Sequence, residues 1–224
     1  MPLFKTITIP EGLIGVWELT ETSVGLISNF SSEELEDTDF KKYSYEKRKV
    51  EWLAIRTLLK QMIGPDFILS YSGTGKPILD HRQYKHISIS HSRYFVVVFI
   101  HELVNVGIDI EDVTRNYNAV EKRYLSEEEL IFVNKNTLLQ CIYWCAKEAI
   151  FKMVPDDGVE FREQIQIIPF NPENENKTMA RYSNKSQAWT YPLHFQNFSD
   201  HCLVWVLEYP TDSLNNQDPN QTTF

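Results

Sequence analysis

Trp144-Cys145-Ala146-Lys147-Glu148-Ala149-Ile150-Phe151-Lys152 repeats, 92 residues on, the Trp, Ala and Lys offsets of Trp52-Leu53-Ala54-Ile55-Arg56-Thr57-Leu58-Leu59-Lys60. Each copy falls on a predicted long helix. The first covers about residues 40–63, with Trp52, Ile55, Leu59 and Met62 at helical spacing and Gly64-Pro65 as its stop. The second covers residues 138–153 and is closed by Pro155 and Gly158. Strand-like segments follow each helix and end in an apolar run, residues 96–99 and then 203–206. A helix-then-strands order that occurs twice predicts an α+β fold of two pseudo-symmetric halves. Each half is a long helix on a small, mostly antiparallel sheet, with a ligand site in the cleft between them. The halves are expected at residues 1–103 and 104–210, and residues 211–224, rich in Asn, Gln, Asp and Thr, read as a disordered tail.

Further strands are expected at residues 4–9 and 13–19 around a Pro10-Glu11-Gly12 turn, and at 67–71, 87–90, 94–100 and 104–111. Residues 72–85 read as a polar loop, and most of 161–209 reads as strand. Ser31-Ser32-Glu33-Glu34 and Ser126-Glu127-Glu128-Glu129 are helix starts, the second of the S-x-x-E capping type.

Composition narrows the classes. A chain of 224 residues with 42% hydrophobic and 24% charged residues can bury a core and is not a disordered polymer. No apolar run approaches the ~20 residues of a membrane helix, and the N-terminus lacks a signal-peptide pattern, so a cytoplasmic protein is expected. The net charge of −9 argues against a nucleic-acid partner but leaves room for a small phosphorylated ligand in a local basic pocket. Cys141, Cys145 and Cys202 are too few and too scattered for a disulfide framework or a zinc site.

Four stretches could carry chemistry. In Val106-Gly107-Ile108-Asp109-Ile110-Glu111 the i, i+2 spacing on a strand puts Asp109 and Glu111 on one face. The pair is either an exposed acidic strand end or a seat for a divalent cation between two repelling carboxylates. On the second helix Trp144, Glu148 and Lys152 share a face. They read either as a core Trp beside a surface ion pair, or as a third metal carboxylate with Lys147 and Lys152 at phosphate oxygens. Ser90 and His91 end an alternating strand, as a strand-end cluster or an anion site, and no G-x-S-x-G elbow supports a hydrolase. Thr74-Gly75-Lys76-Pro77 has the residues of a phosphate loop without the P-loop spacing.

Taken in order, the G-K-P, S-H-S, G-I-D-I-E and W-x-x-K-E-x-x-x-K segments resemble the 4′-phosphopantetheinyl transferases, and the chain length resembles their long, Sfp-type, single-chain class. The resemblance implies a Mg²⁺-dependent transfer of phosphopantetheine from coenzyme A to a serine of an apo acyl or peptidyl carrier protein, leaving 3′,5′-ADP. It implies metal ligands Asp109, Glu111 and Glu148, with Mn²⁺ also suited to these hard oxygens. Glu148 and Lys152 become the catalytic pair. Thr74, Gly75, Lys76 and Pro77 would line the adenine and phosphate side of the cofactor, in the N-terminal half. Ser90 and His91 would grip the 3′-phosphate with Arg48 or Arg56, and Lys147 and Lys152 would lie near the phosphates, with Asp109 close to the pyrophosphate. A monomer with no membrane or nucleic-acid partner is implied. The alternative is a catalytically idle homologue that binds coenzyme A or a carrier protein. The chain departs from the family pattern at Ser88, where Asn is usual, and at Cys145, where Ser or Thr is usual.

Overall fold

The computed structural model describes residues 3–36, 38–155 and 158–209. The proposed tail at 211–224 lies outside them. Among the described residues, eleven strands fall into three sheets. Strands β1 (Leu3–Ile9), β2 (Gly12–Glu18), β5 (His86–His91) and β6 (Phe95–His101) form a four-stranded sheet of order β1-β2-β6-β5. A small hairpin joins β3 (Ile68–Tyr71) to β4 (Pro77–Asp80). Strands β7 (Val106–Asp112), β8 (Ile165–Ile167), β9 (Lys177–Ser183), β10 (Ala188–Phe198) and β11 (His201–Leu207) form a five-stranded sheet of order β7-β11-β10-β9-β8. Every pairing is antiparallel.

The layers follow from side-chain alternation. In β6, Val96, Val98 and Ile100 point to the helix Glu46–Ile63, while Phe95, Val97 and Phe99 point to the other large sheet. A strand covered on both faces needs a continuous apolar run, which is what residues 95–100 supply. In β7, Val106, Ile108 and Ile110 meet that same inter-sheet core, so Gly107, Asp109 and Glu111 are left facing the helix Thr137–Met153. The order is therefore helix, sheet, sheet, helix. The α+β class and the two helix-on-sheet units expected from the repeat are present.

The repeat runs deeper than its nine residues. Gly15 precedes Trp52 by the same number of residues as Gly107 precedes Trp144. Each glycine lies on the strand its helix crosses: a Cβ on Gly15 would meet Leu58 and Met62, and one on Gly107 would meet the Ala149 carbonyl at 1.8 Å. At that offset Asp109 corresponds to Trp17, Glu148 to Arg56 and Lys152 to Lys60. The carboxylates of the second half have an indole and a guanidinium as counterparts in the first.

Two expectations about elements need correction. The helix predicted over residues 40–63 is broken: Thr38–Lys42 and Glu46–Ile63 are separate, and Tyr45 is extended at the break. The break turns Phe40 back onto Trp52, with ring centroids 4.9 Å apart, and that contact takes precedence over helix continuation. The polar loop at residues 72–85 contains β4. Its Gly-rich segment is the hairpin turn, closed by Ser72 N–H donating to the Lys76 carbonyl at 2.9 Å, with Gly75 at φ 82°.

Candidate active site

β7 and the Thr137–Met153 helix bring the three carboxylates to one face. Asp109 is buried, and its Oδ1 accepts from Ser90 Oγ at 2.6 Å and from Lys152 Nζ at 2.7 Å. Its Oδ2 is buried without a hydrogen-bond partner. Glu111 Oε1 accepts from Arg115 Nη1 at 2.5 Å and from Trp144 Nε1 at 3.1 Å. Burial, and then the Asp109 charge, push the Glu111 carboxyl up. Glu148 is pushed furthest, to about 7, first by burial and then by Asp109. Two carboxyls pushed up by burial and by a third, neighbouring charge are short of positive charge.

This donor set suits a hard dication. All donors are carboxylate oxygens, and the unpartnered Asp109 Oδ2 is an acceptor already desolvated. Among the described residues, the tightly converged group of three potential metal ligands is Cys141, Cys145 and Cys202 rather than these carboxylates. Lys152 and Ser90 hold Asp109 from one side, and Arg115 and Trp144 hold Glu111 from the other.

Lys152 also lines a cleft of about 280 Å³ between the halves, with Thr74, Gly75, Lys76 and Pro77 from the hairpin turn and Phe151 opposite. Gly75, Pro77 and Ile89 separate it from a second hollow of about 230 Å³ that contains Arg48, Glu51, Tyr71 and His91. Arg48 Nη1 lies 3.3 Å from His91 Nε2 and donates to Glu51 Oε2 at 2.9 Å. Burial is the main cause that lowers the His91 pKa; the Arg48, Lys47 and Lys152 charges act in the same sense and Glu51 opposes them. A ring kept neutral among cations is a place where an anion would be welcome.

Several expected contacts are not found. Lys147 is fully buried on another side of the helix from Glu148, and its ammonium donates to Glu129 Oε2 at 2.6 Å and to the Phe161 and Ile165 carbonyls at 3.0 and 2.6 Å. With all three donors engaged inside the core it has none to offer a phosphate. Lys147→Met is expected to destabilise the fold by about 3–5 kcal/mol, because Glu129 would be left buried and unpaired. Chemical denaturation reads this directly.

Arg56 is buried as well. It stacks 3.6 Å over Trp52 and donates to the Leu69 carbonyl, on a different wall from His91. Of the two candidate arginines, Arg48 is placed at the histidine, whereas Arg56 packs on Trp52. Ser90 and His91, expected to act together, point opposite ways, as neighbours on a strand must: Ser90 to Asp109, His91 to Arg48 and Glu51. The cysteines are not scattered either, since Cys141, Cys145 and Cys202 meet in the core. Sequence reasoning missed Arg115 and Trp144 as partners of Glu111. The i+4 spacing of Arg115 from Glu111 was a visible signal, but the intervening turn is not periodic structure and gives no facing rule.

No curated protein matches the chain at a significant level. Residues 105–206, a little under half of the chain, match the family model of the 4′-phosphopantetheinyl transferase superfamily.

Proposed function

We propose that this chain, whose residues 105–206 match the 4′-phosphopantetheinyl transferase superfamily model, moves phosphopantetheine from coenzyme A to the serine hydroxyl of an apo carrier protein. The observation that carries the reading is the buried Asp109, with one oxygen held by Lys152, which lines the inter-half cleft, and the other without a partner, near enough to Glu148 for its charge to raise that carboxyl.

In this proposal Mg²⁺ held by Asp109, Glu111 and Glu148 supplies charge neutralisation across the pyrophosphate. The chain's own groups do the rest. Lys152 is close enough to Asp109 to serve both that carboxylate and the phosphate oxygens that gain charge as the bond to the leaving 3′,5′-ADP breaks. Glu148, on the helix face it shares with Lys152, accepts the serine proton. The hairpin turn from Thr74 to Pro77 lines the cofactor's adenine and phosphate side, and Arg48 with His91 receives the 3′-phosphate. Residues 1–103 then carry most of the nucleotide contacts and residues 104–210 the metal and the proton acceptor. The long single-chain class, a monomer and a cytoplasmic setting belong to the same proposal. Among the described residues no helix is long and apolar enough to cross a membrane.

Arg48→Ala is expected to raise the KM for coenzyme A by about 10–100-fold, with a smaller effect on 3′-dephospho-coenzyme A, since a charged hydrogen bond to one phosphate is lost. Arg56→Ala should leave that discrimination unchanged. Steady-state kinetics with both cofactors decide between them.

The experiment for the proposal is intact mass of apo carrier proteins of several types after incubation with the protein, coenzyme A and Mg²⁺, with and without EDTA. A gain of one phosphopantetheine that EDTA abolishes is the expected result. No gain on any carrier with coenzyme A still bound would replace the reading with an idle binder. No binding of coenzyme A would remove it altogether.

A further inference from the structure

The three cysteines form a constellation that the proposed transfer does not use. All three side chains are wholly buried and free, and their sulfurs lie within 4.8 Å of one another. Cys141 and Cys145 are one turn apart on the Thr137–Met153 helix, and Cys202 faces them from β11 on the same side as Val204 and Val206. Tyr117 Oη donates to the Asp112 carbonyl at 2.9 Å and lies 3.1 Å from Cys141 Sγ, which fixes one wall of the group. Cys202 is the cross-strand neighbour of Glu111, so the sulfurs lie on the same helix-facing side of the sheet as that residue.

Three convergent sulfurs are a soft donor set, and the environment selects the ion by charge. A dication bound by three thiolates leaves one net negative charge in a dry site, and a monocation leaves two, both costly. A trivalent centre leaves none. We propose that Cys141, Cys145 and Cys202 form a trithiolate site for a trivalent thiophilic metalloid of the arsenite class. Binding is a ligand exchange without oxidation or reduction: three As–OH bonds break, three As–S bonds form, and each thiol proton leaves with a hydroxide as water. Occupation ties the helix that bears Glu148 and Lys152 to β11. The inference does not depend on the transferase reading.

The test uses the full chain with arsenite as the probe, both added to the folded protein and present during refolding. Intact mass should gain one arsenic less three hydrogens. Arsenic-edge X-ray absorption should show coordination by three sulfurs only, and the melting temperature should rise by several degrees, as a ligand that binds only the folded state requires. Cys141→Ser and Cys202→Ser, each checked for native circular dichroism, should weaken uptake at least tenfold. The X-ray absorption reading on the unaltered protein stands even if a variant fails to fold. No adduct by either route, an adduct with fewer than three sulfurs, or equal uptake of Zn²⁺ by the same cysteines would overturn the assignment.

Discussion

Gly107→Ala is expected to cost about 3–5 kcal/mol of stability. The added Cβ would lie 1.8 Å from the Ala149 carbonyl oxygen and 2.7 Å from its carbon. Both are backbone atoms in the middle of a regular helix, so no side chain can rotate away. The Thr137–Met153 helix must lift from β7, and every core residue it shares with β11 moves with it. For a domain of this size the melting temperature should fall by about 10 °C. Activity should fall too, because the same displacement separates Glu148 and Lys152 from Asp109. Gly73→Ala is the control: nothing lies within 4 Å of its added carbon, and a change within about 0.5 kcal/mol is expected. Equal stability of the two variants would show that the helix does not pack on β7 as closely as described.

Glu148→Gln is expected to separate activity from stability. Loss of the proposed proton acceptor and of one charge proposed to face the cation should lower transfer by about 10²–10⁴-fold. Stability should move the other way in the absence of divalent metal. The folded carboxyl titrates at about 7 against an ordinary 4.5. A raised pKa in an acid favours the folded state fully below pH 4.5, and that advantage is lost as pH rises through about 7. At pH 8 the buried charge therefore costs about 2 kcal/mol, after allowance for its partial exposure to solvent. Gln carries no such cost. Denaturant unfolding in EDTA should find the variant more stable by about 2 kcal/mol at pH 8 and equal to the parent near pH 5. Added Mg²⁺ should stabilise the parent and do much less for the variant. A stability difference that does not vary with pH would remove Glu148 from the buried carboxylate group.

The G-I-D-I-E strand and the W-x-x-K-E-x-x-x-K helix are legible in sequence because their geometry is local. Spacing of two on a strand and four on a helix determines that Asp109 shares a face with Glu111 and that Glu148 shares one with Lys152, whatever the rest of the chain does. The repeat is local in the same sense: two helices and two strand glycines at one offset make two helix-on-sheet units the economical reading.

Which cation faces which anion is not local. Lys147 and Lys152 are alike in sequence, yet one is enclosed by Glu129 and two carbonyls while the other reaches Asp109. The difference lies in which side of the helix meets β8 and which meets β7. Arg48 and Arg56 differ for the same reason, since two turns of helix separate the face toward His91 from the face toward the β3–β4 hairpin. Cys202 joins Cys141 and Cys145 only because β11 pairs with β7 beneath that helix. The sequence by itself determined the two helix-on-sheet units and the carboxylates each element carries. Tertiary packing alone decided which long side chains were drawn into the core and which were left at the cleft. Burial of a charge depends on partners tens of residues away, and no periodicity encodes them.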